Sequence, residues 1–157
     1  MVIVEHTAQV MMESDKTPSR AQASNGASDG RQLLIVEDEA VIRFVLRCEL
    51  EQHGFVVTEV EDGRGALEAF SRDPSCWAGA FVDFLLPDIH GDEVIEQLLE
   101  LRPDLPVVLM TGDSDPSADA TKGALTVLRK PFPLEQVRPL LEVMRQTAQT
   151  PTQEPCS

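Results

Sequence analysis

The sequence predicts a doubly wound α/β domain built on a five-stranded parallel sheet. Three observations carry that expectation. Five short apolar runs alternate with stretches whose apolar residues recur at helical spacing. The alternation is complete within about 116 residues, from 32 to 147, which suits a single layered domain. Four of the runs end directly in polar or charged residues, as strands do when one edge of the sheet carries the chemistry. Right-handed crossovers then place helices on both faces.

Taken in order, Leu33–Val36 is an unbroken apolar run, as befits a strand covered on both faces. Ile42, Val45, Leu46 and Leu50 follow at helical spacing, and Gly54 suits the cap that ends a helix. Phe55–Val60 is the second strand. Asp62 is placed to cap a short helix carrying Ala66, Leu67 and Phe70. Gly79–Leu85 makes the third strand, with Trp77 in the preceding loop as an anchor at the core's edge. Val94, Ile95, Leu98 and Leu99 mark a helix that stops before Pro103. Pro106–Met110 is the fourth strand. Asp115 and Pro116 read as an N-cap with proline at the first helical position, opening a two-turn helix that Gly123 ends. Thr126–Leu128 is the fifth strand. The last helix is expected from about Leu134 to Thr147, with Pro139 well inside it, where the missing N–H loosens or kinks a turn.

Of 157 residues, 42% are hydrophobic and 4% aromatic, so the core is mainly aliphatic. The formal charge is −14, and residues 32–147 hold 22 acids against 10 bases. A field of that sign repels nucleic acid and anionic membrane, so neither is expected as a partner. No apolar run is long enough to span a bilayer, and Glu5 interrupts the N-terminal apolar residues before a signal-peptide core can form. Cys48, Cys76 and Cys156 show no metal-ligand spacing, and an odd number fits a reducing cytoplasm. Residues 1–30 and 148–157 are polar and low in large apolar side chains, and read as disordered tails around a domain at 31–147. Neither is long enough for a second domain.

The chemistry is expected where the strands end. Glu37, Asp38 and Glu39 follow the first strand, Asp83 closes the third, Thr111 follows the fourth and Lys130 the fifth. Each has a plain role available: helix-dipole acids, a loop cap, a turn hydroxyl, a solvated charge. Together they fit phosphoryl transfer to a carboxylate. Clustered carboxylates repel by several kcal/mol per pair at intermediate dielectric, roughly 4 kcal/mol at 4 Å. A divalent, oxygen-preferring ion such as Mg²⁺ relieves that repulsion and shields an incoming phosphoryl group. The chain uses ten Arg and three Lys, so a Lys at this edge is a pointed choice of compact, flexible charge.

These residues resemble the response-regulator receiver domain of two-component signalling. Leu-Ile-Val-Glu-Asp-Glu, Val-Asp-Phe-Leu-Leu-Pro-Asp with Gly91, Leu-Met-Thr-Gly and Leu-Arg-Lys-Pro-Phe carry the resemblance, in order, across essentially all of 32–147. It implies a flavodoxin-like fold with strand order 2-1-3-4-5 and a stand-alone receiver. Asp83 would be the phosphoacceptor, with Glu37, Asp38, Asp83 and the Leu85 backbone carbonyl around Mg²⁺. Thr111 and Lys130 would contact the phosphoryl group, and the Lys130–Pro131 bond would be cis. The implied partners are a histidine kinase or histidine phosphotransfer protein and a downstream protein target that the sequence does not name. The expected role is a switch or relay, not an enzyme.

Three departures qualify the resemblance. The aromatic that the family usually places three residues before the Lys is Val127 here, the helix ahead of Gly123 is short, and the last helix carries Pro139 well inside it. Output is therefore expected through a different rearrangement, or by a partner reading the pocket loops directly. Leu85 would obstruct an attacking water and Asp113 would orient one, so they pull phosphoryl lifetime in opposite directions. A phosphorylation-independent interaction module is the alternative function. A metal-dependent phosphatase with an aspartyl nucleophile would want a second Asp where Leu85 stands. His53 reads as a helix-end residue, His90 as a solvated loop residue and Cys48 as packing.

Overall fold

The computed structural model describes residues 31–112 and 116–149. The apolar runs become β1 (Gln32–Val36), β2 (Val56–Val60), β3 (Trp77–Asp83), β4 (Val107–Thr111) and β5 (Thr126–Arg129). They form one five-stranded sheet in the order 2-1-3-4-5, and every pairing is parallel. The chain goes outward from β1 to β2 and then returns past β1 to β3. That reversal puts the switch point between β1 and β3, where Glu37 and Asp83 stand.

Among the described residues four α-helices cover the sheet: α1 (Ala40–Gln52), α2 (Gly63–Ser71), α3 (Gly91–Leu101) and α4 (Arg138–Gln149). Strand alternation sends Leu34, Val36, Ala80, Val82 and Leu109 to the face packed by α2 and α3, through Phe70, Val94 and Leu98. Leu33, Ile35, Phe81, Val108 and Met110 go to the other face, against Leu46 and Leu50 of α1 and Leu141 and Met144 of α4. α1 ends as expected at Gly54. The Gly54 amide donates to Glu51 O at 3.0 Å and the Phe55 amide to Leu50 O at 3.3 Å, the paired closure of a Schellman motif. Asp62 caps α2 by accepting from the Gly65 amide at 2.7 Å. Among the described residues no helix is long and apolar enough to cross a membrane. Residues 1–30 and 150–157 lie outside the described residues, and α4 continues past Thr147 to Gln149, two residues into the segment expected as a tail.

The structure corrects three local expectations. Residues 118–123 form successive turns instead of a helix, closed by hydrogen bonds such as Lys122 N to Asp119 O and Ala124 N to Thr121 O. Between Pro116 and Gly123 only Ala118 and Ala120 are apolar, too little to hold so short a helix by packing. The Asp115 cap and Asp113 lie outside the described residues. Pro139 is not inside a long helix: Leu134–Gln136 is a 3₁₀ turn and α4 starts at Arg138. Proline then falls in the first turn, where its missing N–H breaks nothing. Finally, β3 begins at Trp77 and ends at Asp83. Trp77 is thus a strand residue, buried and stacked on Phe70 with ring centroids 5.9 Å apart.

Candidate functional site

Each expected site residue sits where a strand stops. Glu37 follows β1 and is fully buried, Asp83 closes β3, and Thr111 closes β4, both buried. Lys130 follows β5, its amide donating to Thr111 O at 2.7 Å, so β4 and β5 end in register at the site. The Lys130–Pro131 peptide is cis. Phe84 N donates to Met110 O at 2.8 Å, which carries the β3–β4 pairing one residue beyond Asp83.

The Lys130 ammonium lies between two buried carboxylates, 2.5 Å from Glu37 Oε2 and 2.9 Å from Asp83 Oδ1. It is 3.9 Å from Glu39 Oε1. The other Glu37 oxygen accepts the Glu39 amide at 3.1 Å. Burial pushes the Glu37 carboxyl above the usual range; hydrogen bonds from Lys130 and the Glu39 amide resist this, and the charge of Asp83 adds to it. Burial raises Asp83 too, against Lys130 and with the repulsion of Asp38 and Glu39. For Lys130, burial disfavours the cation, but its hydrogen bonds to Glu37 and Asp83 prevail and hold it above the ordinary lysine range. One ammonium therefore leaves negative charge uncompensated.

Carboxylate oxygens of Glu37, Asp38 and Asp83 all lie within 4.8 Å of one another. At that spacing each ionised pair repels by roughly 3 kcal/mol at an effective dielectric near 20. The donors are oxygen only and partly exposed through Asp38, which fits Mg²⁺ held by a few carboxylates with room for a phosphate. Leu85 is half exposed just past β3. Val127 is half buried and packs on the α2–α3 face of the core.

Sequence reading missed two side chains that hold the acidic loops. Arg43 of α1 donates to the carbonyls of Glu37, at 2.7 Å, and Asp38, at 3.3 Å. Asp88, in the loop after β3, accepts the Gly63 amide at 2.8 Å and the Arg64 amide at 2.9 Å, capping α2 from a distant loop. The available signals were a cation in the first turn of a helix, against the dipole, and an acid directly after Pro87. His90 is exposed, as expected of a loop residue, and precedes α3 with its ring edge-on to Phe84. His53 does more than end a helix: it lies 3.2 Å from the buried carboxylate of Glu49.

The glycine that opens α3 fixes how the loop after Asp83 closes. A Cβ at Gly91 would collide with the Asp83 carbonyl oxygen and the Phe84 backbone, and the Gly91 amide donates to Phe84 O at 2.8 Å.

Residues 33–142 match the model of the response regulator receiver domain family. The C4-dicarboxylate transport transcriptional regulatory protein DctD of Pseudomonas aeruginosa is 38% identical over 122 residues, covering 73% of this chain and 26% of that protein. The chain thus spans about a quarter of that relative's length. The response regulator receiver protein CpdR of Brucella abortus is 30% identical over 118 residues, covering 73% of this chain and 96% of CpdR. Among solved structures, the response regulator TrrA of Thermotoga maritima in complex with Mg(2+)-BeF superposes with a TM-score of 0.66 at 25% identity, covering 73% of this chain and 98% of TrrA.

Proposed function

The chain belongs to the response regulator receiver domain family, and on that premise we propose that it takes a phosphoryl group from a histidine kinase or histidine phosphotransfer protein onto Asp83. The carrying observation is the Lys130 ammonium clamped between buried Glu37 and Asp83 beside a third carboxylate. One Asp83 oxygen attacks phosphorus, the P–N bond of the donor phosphohistidine breaks, and its electron pair stays on the imidazole. Glu37, Asp38 and Asp83, with the Leu85 backbone carbonyl, would hold Mg²⁺, which neutralises phosphoryl charge when bound. Lys130 exchanges part of its carboxylate contact for a phosphoryl oxygen, and the Thr111 hydroxyl donates to another. The Mg(2+)-BeF complex of TrrA supports that choice of ion.

The donor has a surface to land on. Val41, Phe44 and Val45 of α1 are exposed at i, i+3, i+4 spacing, and Val41 and Val45 line an apolar cleft of about 470 Å³ that reaches Lys130. Output then passes to another protein, since the acidic field disfavours nucleic acid and anionic membrane. Among the described residues Cys48 and Cys76 are thiols outside any disulfide, Cys76 donating to Gln32 Oε1 at 3.2 Å, which supports a cytoplasmic setting.

Intact-mass measurement after incubation with a small-molecule phosphodonor and Mg²⁺ tests this. The expected result is one phosphoryl adduct, absent with EDTA and absent in Asp83→Asn. A folded, Mg²⁺-binding protein that stays unmodified by phosphodonor and by histidine kinases would point to the phosphorylation-independent module instead.

A further inference from the structure

Both acidic loops of the site are held from outside, and both holds end on the same short segment. Arg43 is the fourth residue of α1, where a cation opposes the helix dipole. It does not turn out to solvent: its side chain is only 14% exposed. Its guanidinium spans from the carbonyls of Glu37 and Asp38 to the carboxylates of Glu61, at 3.1 Å, and Glu59, at 3.6 Å. The Glu37 amide also donates to Val60 O at 3.1 Å. Asp88 does the equivalent for the loop after β3. One oxygen takes the amides of Gly63 and Ile89, both at 2.8 Å, and the other that of Arg64 at 2.9 Å. α2 already has its own cap in Asp62, so a second carboxylate there does more than end a helix.

We propose that Arg43 and Asp88 are positioning residues that set Mg²⁺ affinity from outside the site, with residues 59–64 as their shared abutment. The inference rests on the phosphoacceptor reading of the site. Glu37 and Asp38 sit on one held loop, and Asp83 and Leu85 border the other. Three carboxylates that repel one another drift apart unless the backbone beneath them is fixed. Neither residue touches the reacting atoms. Their effect is on how much reorganisation the ion must impose when it binds, the kind of outer-shell effect that is commonly worth 10- to 100-fold in metal affinity.

For Arg43, charge alone predicts the opposite sign, which makes the idea testable. Removing a cation from beside an acidic site should tighten Mg²⁺ binding; removing a positioning residue should weaken it. Titration calorimetry with MgCl₂ on the full chain is the measurement, using wild type, Arg43→Gln, Arg43→Lys, Asp88→Asn and the Arg43→Gln/Asp88→Asn pair. Arg43→Gln is expected to weaken Mg²⁺ about tenfold. Arg43→Lys keeps the charge but loses the planar fork, and should weaken it by a similar factor. The double variant should weaken binding by less than the product of the singles, because the two share an abutment. Phosphorylation rates at saturating Mg²⁺ should stay within about twofold of wild type, since no group touching phosphorus has changed. Arg43→Gln binding Mg²⁺ as tightly as wild type or tighter would overturn the proposal. If that variant melts at the assay temperature, unchanged affinity in Arg43→Lys would overturn it equally. A wild-type chain that takes up no Mg²⁺ would instead overturn the phosphoacceptor reading.

Discussion

On the β1–β3 side of the site every loop is anchored. Arg43 grips the loop after β1, Asp88 grips the loop after β3, and α3 starts against the Asp83 carbonyl. On the β4–β5 side the crossover has turns where the other crossovers have helices, and β5 is four residues long. Val127 is half buried there, and Leu125 is nearly half exposed. The difference separates two tasks. Carboxylates that are to hold an ion together need fixed geometry before the ion arrives. A surface that must report the event needs states close in energy, and such regions come from the weakly packed end of a fold. Lys130 joins the two sides, for it follows β5 yet its ammonium lies between Glu37 and Asp83.

Cutting the joint should have the largest effect. Lys130→Ala leaves Glu37 and Asp83 buried without their cation, and the phosphorylation rate should fall about 10²- to 10³-fold. The Mg²⁺-free protein should also lose about 2–4 kcal/mol at pH 7, read from urea melts. The sign of the pH dependence follows from the raised carboxyls of Glu37 and Asp83. A folded pKa above the unfolded one favours the folded state at low pH, so the deficit should shrink as the pH falls and the pair keeps a proton. A deficit that grew on acidification would mean that the carboxylates are compensated by something other than Lys130.

The same substitution made once on each side measures the contrast directly. Gly91→Ala drives a Cβ into the backbone of Asp83 and Phe84, which cannot yield, and should cost about 3 kcal/mol and much of the Mg²⁺ affinity. Gly123 has φ +88, and the nearest atom to its missing Cβ is the Leu99 Cδ1 at 2.6 Å, the far end of a flexible side chain. Gly123→Ala should therefore cost about 1–2 kcal/mol, mostly the strain of that φ, and leave Mg²⁺ binding unchanged. Equal losses in both variants would erase the distinction between an anchored and an adaptable side.

The contrast also explains which parts were legible in the sequence. Strands and the ends of strands are local signals: an apolar run followed by Asp83 or Lys130 places the residue at the sheet edge, whatever lies elsewhere. Sheet order came from the family resemblance, because alternation of strands and helices does not by itself rank them. The helix before Gly123 was misread because Pro and Gly punctuation marks both a short helix and a string of turns, and only packing decides. Pro139 was misread for a related reason, since a 3₁₀ turn at Leu134–Gln136 moved the helix start to just before it. Arg43 and Asp88 were hard to single out because their partners, backbone groups and for Arg43 also the Glu59 and Glu61 carboxylates, lie up to 25 residues away, and no local spacing marks such a pairing.

The smallest expected effect concerns how α4, the helix beyond β5, is tied back to α1. Glu49 is buried on α1 and accepts from Arg138 Nε at 3.0 Å and lies 3.2 Å from His53 Nε2. The hydrogen bond from Arg138 holds its carboxyl below the usual range, against the burial that opposes it and with help from His53. A depressed pKa contributes stability above the unfolded value near 4.5 and loses it as the pH falls through the folded value. Arg138 is about half exposed, so solvent screens much of the gain, and Glu49→Gln should lower the melting temperature by roughly 2–5 °C at pH 7. The protonated acid and the amide are nearly equivalent partners for a guanidinium, so the gap between wild type and variant should close as the pH falls through the folded value. Comparing the two proteins at each pH removes the acid destabilisation they share. A gap that persisted in acid would mean that Gln disturbs packing at this site, and that α4 is held to α1 by the contacts of Leu141 and Met144 instead of by charge.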